Sequence, residues 1–305
     1  MAGETGTVES GLDTTAYNLA VYYALRPLTV FDQVATVRAT KQSHRGASVI
    51  FTKMNDLNIS TTPLDEYTDV AATALTDTPL TVTMTEYGRA TISTAKLRAT
   101  SFIEFDPTAA NRLGYNAGRT IDLIAQTALT AEASSEFVVA GPGTARLNTN
   151  DIQDIKATLE NAVVRPFEDG YYRAFITPYM ARDLRRETAG SDLNNWRAPH
   201  TYQDTVEIYR GEIGEYEGFR FIVNQTISAG TEANTHRAVF VGQEALAKAM
   251  SSAPGFGAYP TVRPGPVTDK LWRFRPMGWY WLGGYKVFRP EAVIWADFLD
   301  SAVGT

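Results

Sequence analysis

A chain of 305 residues, 44% of them apolar, can bury a substantial core in one large or two medium domains, and its formal net charge of −6 has the wrong sign for a protein that grips nucleic-acid phosphates. It has no cysteine, which excludes a disulfide framework, a thiolate nucleophile and a thiolate metal site. It also has no run of about 18 apolar residues, and no basic segment followed by an apolar core in Met1–Gly11, so a membrane span and a signal peptide are not expected and folding in a cytoplasm is.

Residues 1–14 are polar, small and rich in Gly and Thr, the composition of an arm rather than a packed element. A short helix is expected over Thr15–Leu25, where Ala16, Leu19, Ala20 and Tyr23 share a face before Arg26-Pro27 stops the run. Val34–Ala39 and Ser48–Met54 alternate as strands do, and the polar stretch 41–46 between them predicts a hairpin. From Asn55 to Pro79 the chain is polar and acidic, with Asp56, Asp65, Glu66, Asp69 and Asp77, before Leu80–Glu86 alternates again. A strand pair thus carries a tip of more than about twenty residues with no core of its own, and such a loop is expected to pack on a neighbour. Tyr87-Gly88 reads as a turn and Ala90–Thr94 as a further strand.

The longest predicted element is a helix over Asp106–Ala133. Asp106 is expected as its N-cap and Pro107 as its first helical residue, and Ala109, Leu113, Ala117, Ile121, Ile124 and Ala128 recur on one stripe. Arg112, Arg119, Asp122 and Gln126 fall on other faces. Gly114 and Gly118 cost helix propensity, which predicts a close approach by another backbone. Beyond it, Phe137–Ala140 reads as a strand closed by Gly141-Pro142-Gly143. A helix capped by Asn150 and Gln153 follows, with Ile152, Ile155, Leu159 and Val163 on its apolar face. Tyr171–Ile176 is a predicted strand, Thr177-Pro178 opens a helix to about Glu187, and Thr188–Glu207 is a polar loop containing Trp196. The glycine-punctuated stretch Ile208–Val223 and Ala238–Val241 predict strands, and Gln243–Met250 a brief helix. Leu271–Phe298 holds four of the five tryptophans and suits a sheet packed across the long helix.

Chemistry-bearing patterns are sparse. His44, His200 and His236 lie far apart, and phosphate-loop, nucleophile-elbow and complete dinucleotide fingerprints are absent. Gly255-Phe256-Gly257 reads as a turn, and Asp151 and Asp154 as acids favoured near a helix start. The acidic tip lacks the glycine and spacing of a calcium loop, which favours a solvated or arginine-paired face. No catalytic, cofactor-binding or metal residues are therefore assigned.

Leu64-Asp65-Glu66 in the tip, Tyr87-Gly88 at its return, Thr177-Pro178 with Asp183-Leu184, and Gly211-Glu212-Ile213-Gly214 with Gly218-Phe219-Arg220-Phe221 occur in an order and spacing that carry a family likeness. From about Val34 onward the chain resembles the tailed-phage major capsid proteins of the Hong Kong 97 type, nearest the coat-protein family typified by phage N-four. Tyr67 stands where that family often has glycine. The resemblance implies an α+β capsid fold with an N-terminal arm (1–33), a peripheral domain (34–147 and the C-terminal strands 251–305), an extended loop (42–86), a spine helix (106–133) and an axial domain (148–250). It implies self-assembly as hexamers and pentamers around double-stranded DNA that is not specifically bound, with a scaffolding protein, a portal and a decoration or cement protein as further partners. No cofactor is implied. Asp65, Glu66 and Asp69 are expected to face arginines of a neighbouring subunit, with Arg112 and Arg119 as the candidates. Some relatives join a loop lysine to a neighbour's asparagine, and here Lys53 lies in the loop while no asparagine occurs from Thr235 onward, so no crosslink is expected. The other readings of the same chain are an encapsulin-like compartment subunit and a carbohydrate-active or ligand-binding enzyme that uses the aromatic cluster.

Overall fold

The computed structural model describes residues 30–39, 47–55, 57–61, 63–64, 66–67, 69–70, 72–100, 105–131, 136–137, 145–188, 212–251, 257, 259–267 and 269–299. The expected arm, the helix over Thr15–Leu25, the loop 41–46, the Gly141-Pro142-Gly143 turn and the loop around Trp196 lie outside them.

The expected rod is a helix over Phe105–Leu129, about 37 Å long. It opens one residue before Asp106, so that carboxylate sits in the first turn, where it still favours the positive end of the helix. It closes at Leu129 rather than Ala133. There the Thr130 hydroxyl donates to the Gln126 carbonyl at 3.1 Å. The stripe is as expected: Ala109, Ala110, Leu113, Ala117 and Ile121 are buried in one cluster with Val262, Met277, Trp279 and Trp281. Gly114 and Gly118 are buried as well.

The sheet against the rod is built on β11 (Phe274–Val287), long enough to pair with three strands. Antiparallel to it run β4 (Thr85–Thr94), β10 (Thr261–Pro264) and β9 (Leu246–Met250). β1 (Ala35–Ala39) completes the sheet by pairing in parallel with β9. Met277, Trp279 and Trp281 alternate inward onto the rod, while Pro276, Gly278 and Tyr280 turn outward. Tyr87-Gly88 is not a turn but lies inside β4. Gly88 is required there because a Cβ would stand 2.9 Å from the Trp279 carbonyl oxygen of β11.

The remaining strands divide between two sheets. β2 (Ser48–Met54) and β3 (Asp77–Thr83) form an antiparallel pair that carries the long tip. The hairpin expected between Val34–Ala39 and Ser48–Met54 does not form, because each strand finds a partner distant in sequence. Leu80–Glu86, expected as one strand, is split at buried Met84, where the chain passes from the hairpin into β4. The second five-stranded sheet has the order β12-β8-β5-β7-β6, with β12 Val293–Leu299, β8 Thr235–Val241, β5 Tyr172–Ile176, β7 Phe219–Val223 and β6 Glu212–Tyr216. Its core takes Ile152, Ile155 and Leu159 from the helix Thr149–Asn161 and Met180, Ala181 and Leu184 from the helix Pro178–Thr188.

Two further expectations are corrected. Gln243–Met250 does not form a helix: Leu246, Ala247 and Ala249 are good helix formers, but the segment is buried between β1 and β11, and packing overrides propensity. The capping box is Asn148 with Asp151, two residues ahead of the expected Asn150 and Gln153, and Val163 lies past the helix end, exposed, with φ 54°. The aromatic C-terminal stretch serves both sheets, Trp279 and Trp281 on the rod and Trp295 in the other core. Of the strand expected over Phe137–Ala140, residues 138–140 lie outside the described residues, and the Phe137 N–H donates to the Trp295 carbonyl at 2.8 Å beside an isolated bridge at Glu136.

Candidate inter-subunit interface

The hairpin is anchored at its root and bare at its end. Phe51, Val82 and Met84 are buried with Ala247 and Ala249 of β9, and the Phe51 and Phe288 rings meet at 6.0 Å. Lys53 Nζ stands 4.0 Å from Glu291, and the Asn55 amide donates to the hydroxyls of Thr76 and Thr78 at 3.2 Å, closing the neck. Beyond the neck, Leu57, Ile59, Leu64, Tyr67, Val70 and Leu75 are all exposed, Ile59 and Tyr67 at 90%. The tip is therefore apolar as well as acidic, which its acid count had obscured. Glu66 and Asp69 are exposed, and Asp69 Oδ1 accepts the Val70 N–H at 2.8 Å. Asp65 lies outside the described residues.

The rod presents its opposite face to solvent. Arg112, Tyr115, Arg119 and Leu123, three or four residues apart, form one exposed stripe. Within the described residues, neither Arg112 nor Arg119 takes part in an ion pair or a side-chain hydrogen bond. The structure does not bring the tip acids and these arginines together within the described chain.

A second polar feature fixes the rod in place. Asp122 is buried, and its Oδ1 accepts the N–H groups of Val30 and Phe31 at 2.8 and 3.0 Å while Oδ2 accepts the Asn224 amide at 3.0 Å. Burial raises its pKa, against the pull of the hydrogen bonds from Phe31, Val30 and Asn224. Asp32 Oδ1 accepts from buried Lys248 Nζ at 2.6 Å and from the Tyr285 hydroxyl at 2.5 Å. Burial, with the Asp32 charge beside it, pushes Tyr285 above its ordinary range. The periodicity set Asp122 and Gln126 off the apolar stripe, and the structure buries both. The one available signal was an acid between Ile121 and Leu123 on an otherwise apolar turn.

Among the described residues no group of three or more His, Cys, Asp or Glu could hold a metal ion. The aromatics expected of an enzyme cleft are core: Trp279 and Trp281 are buried against the rod, Tyr87 stacks on Trp281 at 5.8 Å, and Trp279 Nε1 donates to Asn116 Oδ1 at 3.1 Å. Trp279 and Trp281 are thus a packing layer, whereas Trp272, Phe274 and Tyr280 of the same stretch are exposed.

A model of the phage capsid protein family matches residues 28–298. Among solved structures, the chain is similar to the capsid of Ralstonia phage GP4, with 15% identity, 91% of this chain and 93% of that chain covered, and a TM-score of 0.71. It is similar also to the Cyanophage Pam1 capsid asymmetric unit, with 16% identity, 88% and 89% covered, and a TM-score of 0.66. The holo-SrpI encapsulin complex from Synechococcus elongatus PCC 7942 aligns with 11% identity, 92% of each chain covered, and a TM-score of 0.56. No curated protein sequence matches the chain. At these identities the structural likenesses show the fold alone.

Proposed function

The chain belongs to the phage capsid protein family, as a non-enzymatic major capsid protein of the Hong Kong 97-type fold, and from that premise we propose that it closes a shell of hexamers and pentamers around the double-stranded DNA of a tailed phage. The observation that carries this is the hairpin: its root is buried in the subunit, and among the described residues its tip exposes six large apolar side chains, a patch suited to contact with a neighbour. Asp65, Glu66 and Asp69 of that tip, with Arg112 and Arg119 of the rod, are the residues we assign to contact between copies. Within the family we place the chain nearest the phage N-four group, on its motifs. We further assign an arm over 1–33, a peripheral domain around the rod's sheet, an axial domain around the second sheet, and assembly in the host cytoplasm with scaffolding, portal and decoration proteins as partners. β9, from the stretch assigned to the axial domain, lies in the rod's sheet, and β12, from the C-terminal strands, lies in the other.

An encapsulin-like compartment is the second reading, favoured by the encapsulin likeness at a TM-score of 0.56. Imaging the expressed protein by electron microscopy tests the shell, with closed particles expected and a persistent monomer contradicting it. Nuclease-protected DNA inside particles from a phage lysate separates the readings, because an encapsulin-like compartment would hold protein cargo instead.

A further inference from the structure

Beside the root of the hairpin lies a cleft of about 660 Å³, a volume in the range of small-ligand sites. Three separate parts of the chain each put a cation on its wall: Lys53 from β2, Arg165 from the link between the helix Thr149–Asn161 and β5, and Arg289 from the link between β11 and β12. Thr52 and Gln243 add a hydroxyl and an amide. Among the described residues, neither Arg165 nor Arg289 takes part in an ion pair or a side-chain hydrogen bond, and Arg289 Nε is buried with no acceptor. A buried charged donor in that position calls for a water, an ion or a ligand.

The acids nearby do not cancel these charges. Glu244 lines the cleft and Glu291 reaches Lys53 at 4.0 Å with its side chain half exposed, so three cations face two acids. The C-terminal end of the helix Thr149–Asn161 adds about half a negative charge, which still leaves a positive excess. The backbone is strained at the same place. Val163 with φ 54° and Glu244 with φ 59° both line the cleft, and left-handed backbone at a β-branched residue is an outlier of the kind that gathers at ligand clamps and switches.

We propose that this cleft is a binding site for a multiply charged phosphate anion, gripped by Arg165 and Arg289 and neutralised with the help of Lys53. Guanidinium forks engage phosphate oxygens two at a time, and lysine acts as a point charge. Three cations brought in from three elements suit oxygens arranged around a phosphorus centre better than the two coplanar oxygens of a carboxylate. The bound anion ties the hairpin root to the second sheet's layer and to the C-terminal return, and so braces the hairpin against the body of the subunit. The inference concerns the single subunit and goes beyond the shell reading, which can fail without it.

The test is calorimetric titration of pyrophosphate into the unassembled subunit, in chloride buffer of constant ionic strength. One saturable site per chain with a Kd below about 1 mM is expected, and Arg165→Gln with Arg289→Gln should weaken it at least about tenfold. Without phosphate the double variant should unfold at the native temperature or above it, because the removed cations only repelled each other, whereas loss of two purely structural arginines would lower it. Saturating pyrophosphate should raise the native midpoint and leave the variant's unchanged. Arg165→Gln alone, at an exposed position, carries the same comparison should the double variant fail to fold. A short single-stranded DNA oligonucleotide distinguishes the source: competition with pyrophosphate assigns the bound phosphate to a nucleic acid, and its absence assigns it to a free anion. No saturable binding, or equal binding by native and variant chains, overturns the inference, as does an assembled shell in which a neighbour's carboxylate fills the cleft.

Discussion

Asp122 shows how much one buried carboxylate can hold. It ties the chain at Val30 and Phe31 to the middle of the rod and to Asn224, which follows β7 of the second sheet. Asp122→Ala would strand two backbone donors and a side-chain amide, each costing about 1–3 kcal/mol when buried. Denaturant unfolding of the unassembled subunit should show a loss of about 2–5 kcal/mol, and a loss under about 0.5 kcal/mol, typical of a neutral surface change, would mean that water replaces the carboxylate. Asp297 is a second such anchor. Arg237 grips it with Nε to Oδ1 at 2.8 Å and a second nitrogen to Oδ2 at 3.0 Å, and the Thr231 N–H adds a bond at 2.8 Å. Burial would raise its pKa, but these hydrogen bonds outweigh burial and hold the carboxyl below its ordinary value. A lowered folded-state pKa contributes stability above the ordinary aspartate range, and that contribution disappears as the pH falls through the lowered value. Asp297→Asn should therefore be less stable than the native chain at about pH 7, with the difference closing below about pH 4. A difference that stays constant with pH would show that the carboxylate's charge is not what matters.

Among the elements, the rod was the most legible in sequence because its evidence is local: a 3.6-residue period read off Ala109, Leu113, Ala117 and Ile121 needs no knowledge of the partner. The partnering of strands was not legible. β1 and β9 pair across more than two hundred residues, and the helix expected over Gln243–Met250 became a strand because two neighbours fixed it on both sides. The candidate interface was half legible. Its acids and arginines could be named from charge alone, whereas Tyr115 and Leu123 gained meaning only once the rod's buried face was known. Tyr67 and Val70 likewise required the observation that the tip leaves them exposed. The join between hairpin and sheet depends on a bare backbone at Gly284, where a methyl group would run into the Thr83 carbonyl oxygen. Gly284→Ala should force β3 and β11 apart and destabilise the subunit by about 1–3 kcal/mol, read as a lowered midpoint of thermal unfolding. An unchanged midpoint would show that the hairpin root is loosely seated.

For the whole molecule, assembly is expected to do without covalent bonds. Cysteine is absent, no asparagine lies from Thr235 onward, and Lys53 stands near Glu291 of its own chain. Mature particles boiled in detergent should run as a single band near 33.5 kDa. A ladder of multimers would mean that an asparagine elsewhere is joined to a lysine. Strength is then expected from many weak contacts repeated over the shell, and the acidic tip leaves six large apolar side chains exposed among the described residues. A cryo-electron microscopy reconstruction of the assembled particle tests this most directly. The predicted result is a closed shell in which Glu66 and Asp69 of each copy lie within ion-pair distance, about 4 Å, of Arg112 and Arg119 of the next, with Tyr67 and Val70 covered. A shell whose tips remain in solvent, or pack on a surface other than the rod, would contradict it.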